Sequence, residues 1–356
     1  EKVQILYDFV VKDIRYSYVG FRQSGVIPQK PSDLLITKLG DCKDVSTLFN
    51  SMCKAAGFDA HIVLVSSQSN GNNYLPLPSI DFNHAISCIE IDGKEYYVEL
   101  TGDHLPFSTI SGSNKNSTVL KIDPECDICN TLYLDPPTRK PNVVSRFTDA
   151  VLDADKISVS TKTLKIGGPA GNSRLGLKNT NLDTQIEYVM SEISSFDNNL
   201  KVDELKIDKN LYSTCDTLSY KYDYIVSEPY TVISGMQIFR IPISSAYSPA
   251  DFLNSRNREN DLDISPLTDT DYQEEIINIV IPENKEIVEL PSNVIIKNDF
   301  GEYSLNFELQ KDRLMVKRRT SFKANTIPVD KFNQFRQFYN EIVTADKTQI
   351  AIKEKK

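Results

Sequence analysis

Cys42, His84 and Glu99 follow one another in an order that suits nucleophilic acyl transfer: a thiol to attack, an imidazole to move the proton, and a carboxylate to orient the imidazole. A thiol attacks only as thiolate, so the nucleophile needs a setting that favours negative charge. The first turn of a helix offers one through its macrodipole and its free backbone N–H groups, which can also hold an oxyanion. Cys42 has that setting. Asp41 suits the N-cap; Val45, Leu48, Phe49, Met52, Cys53 and Ala56 recur at three- and four-residue steps; and Gly57 suits the left-handed position after the last turn. Cys53 lies on the apolar stripe of the same helix and reads as a small buried hydrophobe.

The base must come from one of three histidines. His61 opens a predicted strand over 60–65 and reads as structural, while His104 falls in a proline-bearing turn and reads as exposed. His84 opens a strand over 84–91, and Asp92-Gly93 separates it from another over 94–100, which predicts a two-residue hairpin loop. Ile91 then faces Lys94. That register sets His84 opposite Thr101, with Glu99 and Asp103 on its two diagonals and all of them on one face. Such diagonals are roughly 7–8 Å apart, within reach of a carboxylate and an imidazole, so either acid can orient His84.

The surrounding chain must position these residues. Val3, Ile5, Leu6, Phe9 and Val10 predict an opening helix, and Ser32-Asp-Leu-Leu predicts a short one with Ser32 as N-cap. Asp41 and Asp44 read as capping and helix-start charge, and Lys43 as a solvated residue. After about residue 135 the pattern changes at Asp135-Pro-Pro-Thr-Arg-Lys-Pro-Asn, which reads as a linker. Beyond it, apart from helical stretches at 184–196 and 331–343, alternating β-type runs dominate. The region 140–356 therefore reads as mostly antiparallel β, sandwich-like, and divisible near residue 270.

Several classes drop out. A formal charge of −9 leaves no basic footprint for nucleic acid, and no run approaches the length of a membrane span. Six cysteines in 356 residues do not make a disulfide scaffold. Cys126-Asp-Ile-Cys129 lacks the second ligand pair a zinc site needs, so it reads as a local disulfide or two ordinary thiols; Cys88 and Cys215 read as structural. The chemistry proposed for Cys42 requires no metal or cofactor. With no signal-peptide pattern at Glu1, the chain reads as mature or trimmed, with room for an N-terminal partner domain.

Gly40-Asp-Cys42-Lys-Asp44, Asn83-His84 and Tyr97-Val-Glu99-Leu-Thr101 together resemble the transglutaminase-like, or papain-like, cysteine-peptidase superfamily. The resemblance is to a bacterial branch, common in Bacteroidetes-type proteins, with flanking uncharacterised β domains. Phe21-Arg-Gln-Ser-Gly25, Pro28-Gln29, Val280-Ile-Pro282, Leu290-Pro291 and Ile327-Pro328 extend it over nearly the whole chain. It implies an α+β fold: a helix packed on an antiparallel sheet over 1–135, followed by the mostly β region of 140–356. The Cys-His-acid order of the family maps onto Cys42, His84 and Glu99, although the family usually has Asp where Glu99 stands, which keeps Asp103 as a rival. An oxyanion donor is expected upstream, with Gln23 as the candidate. The resemblance further implies cysteine-dependent acyl transfer on a peptide or protein amide, with hydrolysis as the default, in an exported, periplasmic or cell-surface protein. The alternative is an inactive scaffold whose β region binds a peptide, polysaccharide or envelope partner. A metal site built from Cys42, His84 and Asp103 is a weaker rival.

Overall fold

The computed structural model describes residues 1–355 except 19–26, 71–81, 124–130, 194–199, 255–257, 265–266, 268 and 324–325. Gln23, Cys126 and Cys129 lie outside the described residues. Among the described residues, no helix is long and apolar enough to cross a membrane. The chain divides into two compact units, one comprising 1–141 with 170–172 and 212–216, the other the rest of 142–356.

The first unit opens with α1 (Lys2–Asp13), whose Val3, Tyr7, Val10 and Val11 form its buried stripe. Strand β1 (Arg15–Tyr16) follows. Helix α2 (Pro31–Thr37) begins one residue before the expected N-cap Ser32, because Pro31 at the first helical position has its φ preset and no N–H to satisfy. It ends on Lys38 in the left-handed conformation and leads into β2 (Leu39–Gly40), which pairs in parallel with β1. Helix α3 (Cys42–Ala55) starts and stops where the sequence predicts, with Gly57 at positive φ just beyond it.

Five antiparallel strands complete this unit: β3 (Ala60–Ser66), β4 (His84–Ile91), β5 (Lys94–Val98), β6 (Thr118–Ile122) and β7 (Thr131–Tyr133), in spatial order β5-β4-β3-β6-β7. Asp92 and Gly93 both take positive φ, as a two-residue primed turn requires, and Ile91 pairs with Lys94. Alternation gives the sheet two apolar faces. Ala60, Ile89 and Val98 pack with α1 and α3, whereas Val63, Val65, Ile86, Cys88, Tyr97 and Val119 form a second cluster. Lys121 on β6 reaches Glu95 on β5 at 2.6 Å. In a flat sheet strands so placed would stand about 14 Å apart, so this sheet is rolled.

The second unit is built on one eight-stranded sheet. Strands β8 (Val143–Leu152), β9 (Lys156–Ile166), β10 (Leu200–Ile207) and β11 (Thr217–Ser227) form one antiparallel half, with α4 (Gly168–Leu177) and α5 (Leu182–Ile193) interposed in sequence. Tyr272–Val280, Arg313–Phe322, Gly301–Gln310 and Val294–Asn298 form the other half. The strand runs suggested a sandwich. The halves instead join edge to edge, through a parallel pairing of β8 with Tyr272–Val280. The helix Phe332–Asp346 lies against the second half through Phe335 on Phe300 and Phe338 on Phe322. Helices 182–193 and 332–346 match their sequence signals, but α4 was not expected, since Gly168, Pro169, Gly171 and Gly176 disguise it. Gly176 is required by close packing: a Cβ there would stand 2.5 Å from the Tyr188 ring.

Buried charges stitch this sheet. Glu192 accepts from Lys165 and from Tyr220 (2.7 Å), with Arg146 at 3.5 Å. Arg318 grips Asp346 with two contacts of 2.8 and 2.7 Å, and Tyr303 donates to the same carboxylate at 2.6 Å. Replacing Asp346 by Ala leaves Arg318 buried without its counter-charge. Urea denaturation of the full chain should show a loss of about 3–5 kcal/mol, and the double change Asp346→Leu with Arg318→Met a smaller one.

Candidate active site

Cys42 is the first residue of α3, and the turn that presents it is held by two carboxylates. Asp41 accepts from the N–H groups of Lys43 (3.0 Å) and Asp44 (3.3 Å), while Asp44 accepts from the N–H of Asp41 (3.0 Å). This is a capping box with Asp in the place usual for Glu. The Asp41 side chain takes the N–H groups of Lys43 and Asp44 but not that of Cys42. Asp44 also accepts from the backbone N–H and side-chain amide of Gln29, each at 2.8 Å, which anchors the Pro28-Gln29 segment to the helix start. Lys43, expected to be solvated, instead sets its ammonium 2.7 Å from Asp41. Gly40 is glycine for want of space: a Cβ there would lie 2.7 Å from Asp44 Cβ and 2.8 Å from Leu34 Cδ1.

His84 stands at the end of β4, where its ladder partner is Val65 on β3. The β4–β5 ladder keeps the predicted register but ends at Ser87–Val98, so the expected pairing of His84 with Thr101 does not form. Glu99 reaches the imidazole nonetheless. His84 Nε2 lies 2.8 Å from Glu99 Oε2, and since a carboxylate can only accept, Nε2 carries the proton. Cys42 is the other side-chain hydrogen-bond partner of the ring, which leaves Nδ1 to face the sulfur. Both ring nitrogens are thus engaged, by Glu99 and Cys42.

Glu99 is almost fully buried and every face of its carboxylate is occupied. Oε1 accepts from Leu100 N–H (3.0 Å), Thr101 N–H (3.2 Å) and Thr101 Oγ1 (2.8 Å), and Oε2 accepts from Asn114 Nδ2 (3.0 Å) as well as from His84. Burial alone would raise its pKa, yet the charge of His84 and the bonds from His84 and Thr101 hold it below the ordinary range. On His84, burial works downward, but the Glu99 charge and the hydrogen bonds to Cys42 and Glu99 prevail and raise it to about 10. Both shifts describe one imidazolium–carboxylate pair.

Two neighbours escaped the sequence reading. Asn114 comes from the loop between β5 and β6, and no local pattern marks it. Tyr16 pairs with Gly40 across the β1–β2 ladder, two residues before Cys42. Burial first, then the charges of Cys42, Asp41 and Glu99, push its phenol up to about 12, so it remains an O–H donor. Burial pushes Cys53 and Cys88 up to about 12 each, and neither stands at a helix start. His61 is largely buried with Nε2 on Asp59, and His104 is half-buried rather than exposed. Among the described residues, no three His, Cys, Asp or Glu side chains stand together as metal ligands, so Cys42, His84 and Asp103 do not form such a cluster.

Residues 1–98 match the model of the transglutaminase-like superfamily, and residues 236–352 match a domain of unknown function with a solved structure (DUF3858). No curated protein matches the chain. Among solved structures 18 chains match. One is a crystal structure of a "putative protease" from Parabacteroides distasonis ATCC 8503, 12% identical, with a TM-score of 0.57 over 99% of this chain and 51% of that one. At that identity the likeness is one of fold, and this chain spans about half the length of the protein it matches.

If the Glu99 charge is what raises His84, then Glu99→Gln must lower the imidazole pKa from about 10, because losing an adjacent anion disfavours the cation. An NMR titration of the His84 ring would read this, and an unchanged midpoint would refute the pairing. Stability should follow by linkage. His84 titrates higher folded than its ordinary 6.5, so its contribution is full below pH 6.5 and fades as pH rises through about 10. The gap in unfolding free energy between the native chain and His84→Gln should therefore narrow across that interval.

Proposed function

We propose, from the premise that the N-terminal part of this chain belongs to the transglutaminase-like superfamily, that it is a cysteine-dependent acyl-transfer enzyme acting on amides, by default a peptidase or amidohydrolase. The observation that carries this reading is the single file Cys42–His84–Glu99, in which the imidazole joins a helix-start sulfur to a buried carboxylate 2.8 Å away. In the proposed reaction Cys42 Sγ attacks the carbonyl carbon, and the carbonyl electron pair moves onto oxygen. The Cys42 N–H, which the Asp41 cap does not take, is one donor for that oxyanion; the Tyr16 hydroxyl and Gln23 are candidates for a second. The C–N bond then breaks, its electron pair stays on nitrogen, and His84 Nδ1 supplies the proton. Water next attacks the thioester with His84 as base, releasing the acid and restoring the pair. Glu99 holds the ring in one orientation throughout and keeps the proton on Nε2.

Iodoacetamide labelling below pH 7, followed by mass spectrometry, tests the proposed nucleophile directly. Cys42 should be alkylated well ahead of Cys53 and Cys88, and His84→Ala should slow that reaction by about 10²–10⁴-fold. A Cys42 no faster than an ordinary thiol would leave the inactive scaffold as the better description.

A further inference from the structure

Beside His84 and Glu99 lies a pocket of 320 Å³ to which the reaction as described assigns no part of the substrate. Its described wall holds His84, Glu99 and a second imidazole, His104, together with hydroxyl and amide side chains such as Ser67, Asn83 and Ser111, and Leu105 is its apolar contribution. Its rim is built rather than loose. Asn83, adjacent to His84 in sequence, accepts from Ser67 N–H (2.9 Å) and donates to Ser67 Oγ (2.8 Å) and Ser69 Oγ (3.3 Å), tying the end of β3 to the start of β4. Across the mouth, Ser111 Oγ and Ser113 Oγ are 3.1 Å apart.

We propose that this pocket receives the amine half of the scissile amide and selects a small polar residue there, one bearing a hydroxyl or carboxamide. The inference rests on the acyl-transfer reading above. In that step the S–C bond forms, the C–N bond breaks, and the departing nitrogen takes its proton from His84, so the leaving group must lie against the imidazole. Apart from Leu105 the described lining of this pocket is polar, six hydroxyl or amide side chains beside His84, Glu99 and His104. A hydrocarbon side chain entering it would strip water from those groups without replacing their hydrogen bonds, whereas a seryl or asparaginyl group would satisfy them. Size does not decide the matter, since 320 Å³ admits large side chains as well. Polarity does.

By microscopic reversibility, the amine that leaves best also captures the acyl-enzyme best. The full chain would be acylated with p-nitrophenyl acetate and the thioester partitioned between water and serinamide, asparaginamide or leucinamide. Serinamide and asparaginamide should capture at least about tenfold more efficiently than leucinamide. Ser111→Leu, which puts hydrocarbon in the pocket, should erase that ratio while leaving the iodoacetamide rate of Cys42 unchanged, which also shows that the variant is folded. Equal or better capture by leucinamide, or a ratio indifferent to Ser111→Leu, overturns the pocket assignment alone. Absence of any acyl-enzyme overturns the catalytic reading, and the pocket assignment falls with it.

Discussion

The buried pair of His84 and Glu99 is the interaction on which the rest of the site depends. Two opposite charges withdrawn from water cost more than their attraction returns unless hydrogen bonds satisfy the remaining lone pairs. Here they do, because Leu100, Thr101 and Asn114 all donate to the same carboxylate. Leu100 and Thr101 follow Glu99 directly, so the chain leaving β5 wraps the carboxylate as the ladder ends. Premature ending of the β4–β5 ladder at Val98 is therefore part of the site: residues 99–101 are released from strand pairing and turn their N–H groups on Glu99.

At the other end of the file, the problem is reversed. A helix start favours a negative sulfur, but the residue best able to cap that helix, Asp41, brings a negative charge next to Cys42. The structure contains the conflict locally. Lys43 neutralises Asp41 at 2.7 Å, and the second carboxylate of the box, Asp44, spends its acceptors on Asp41 and Gln29. The same arrangement explains why the turn carries Gly40, whose missing Cβ lets Asp44 and Leu34 close on the backbone. Capping, loop anchoring and presentation of the thiol are one set of contacts.

The second unit uses buried charge differently. Glu275 on the central strand pairs in register with Arg146 on one side and Arg318 on the other, at the junction where the two halves of the sheet meet in parallel. Burial raises the pKa of Glu275, against the pull of both arginines, while Glu192 and Asp346 supply the close contacts to Arg146 and Arg318. Such a row costs desolvation energy, and Glu275 Oε2 and Arg146 Nε have no hydrogen-bond partner among the described residues, but a one-residue slip would part Glu275 from both arginines, which favours one alignment of the halves over its neighbours.

Much of the site was legible in the sequence because it rests on short-range rules. A helical period with Asp41 before it and Gly57 after it defines α3 and puts Cys42 in its first turn, and Asp92-Gly93 sets a hairpin register that brings Glu99 to the side of His84. Those rules act within a few residues, so they survive without knowledge of the fold. They failed where distant segments compete for the same atoms. The β4–β5 ladder ended at Val98 before it reached Thr101, Asn114 reached Glu99 from a loop with no periodicity, Tyr16 approached Gly40 through a parallel pairing, and the closeness of Tyr188 fixed glycine into α4. Which residue wins such a contest depends on loop closure and on burial summed over the whole core, and that only the tertiary structure decides.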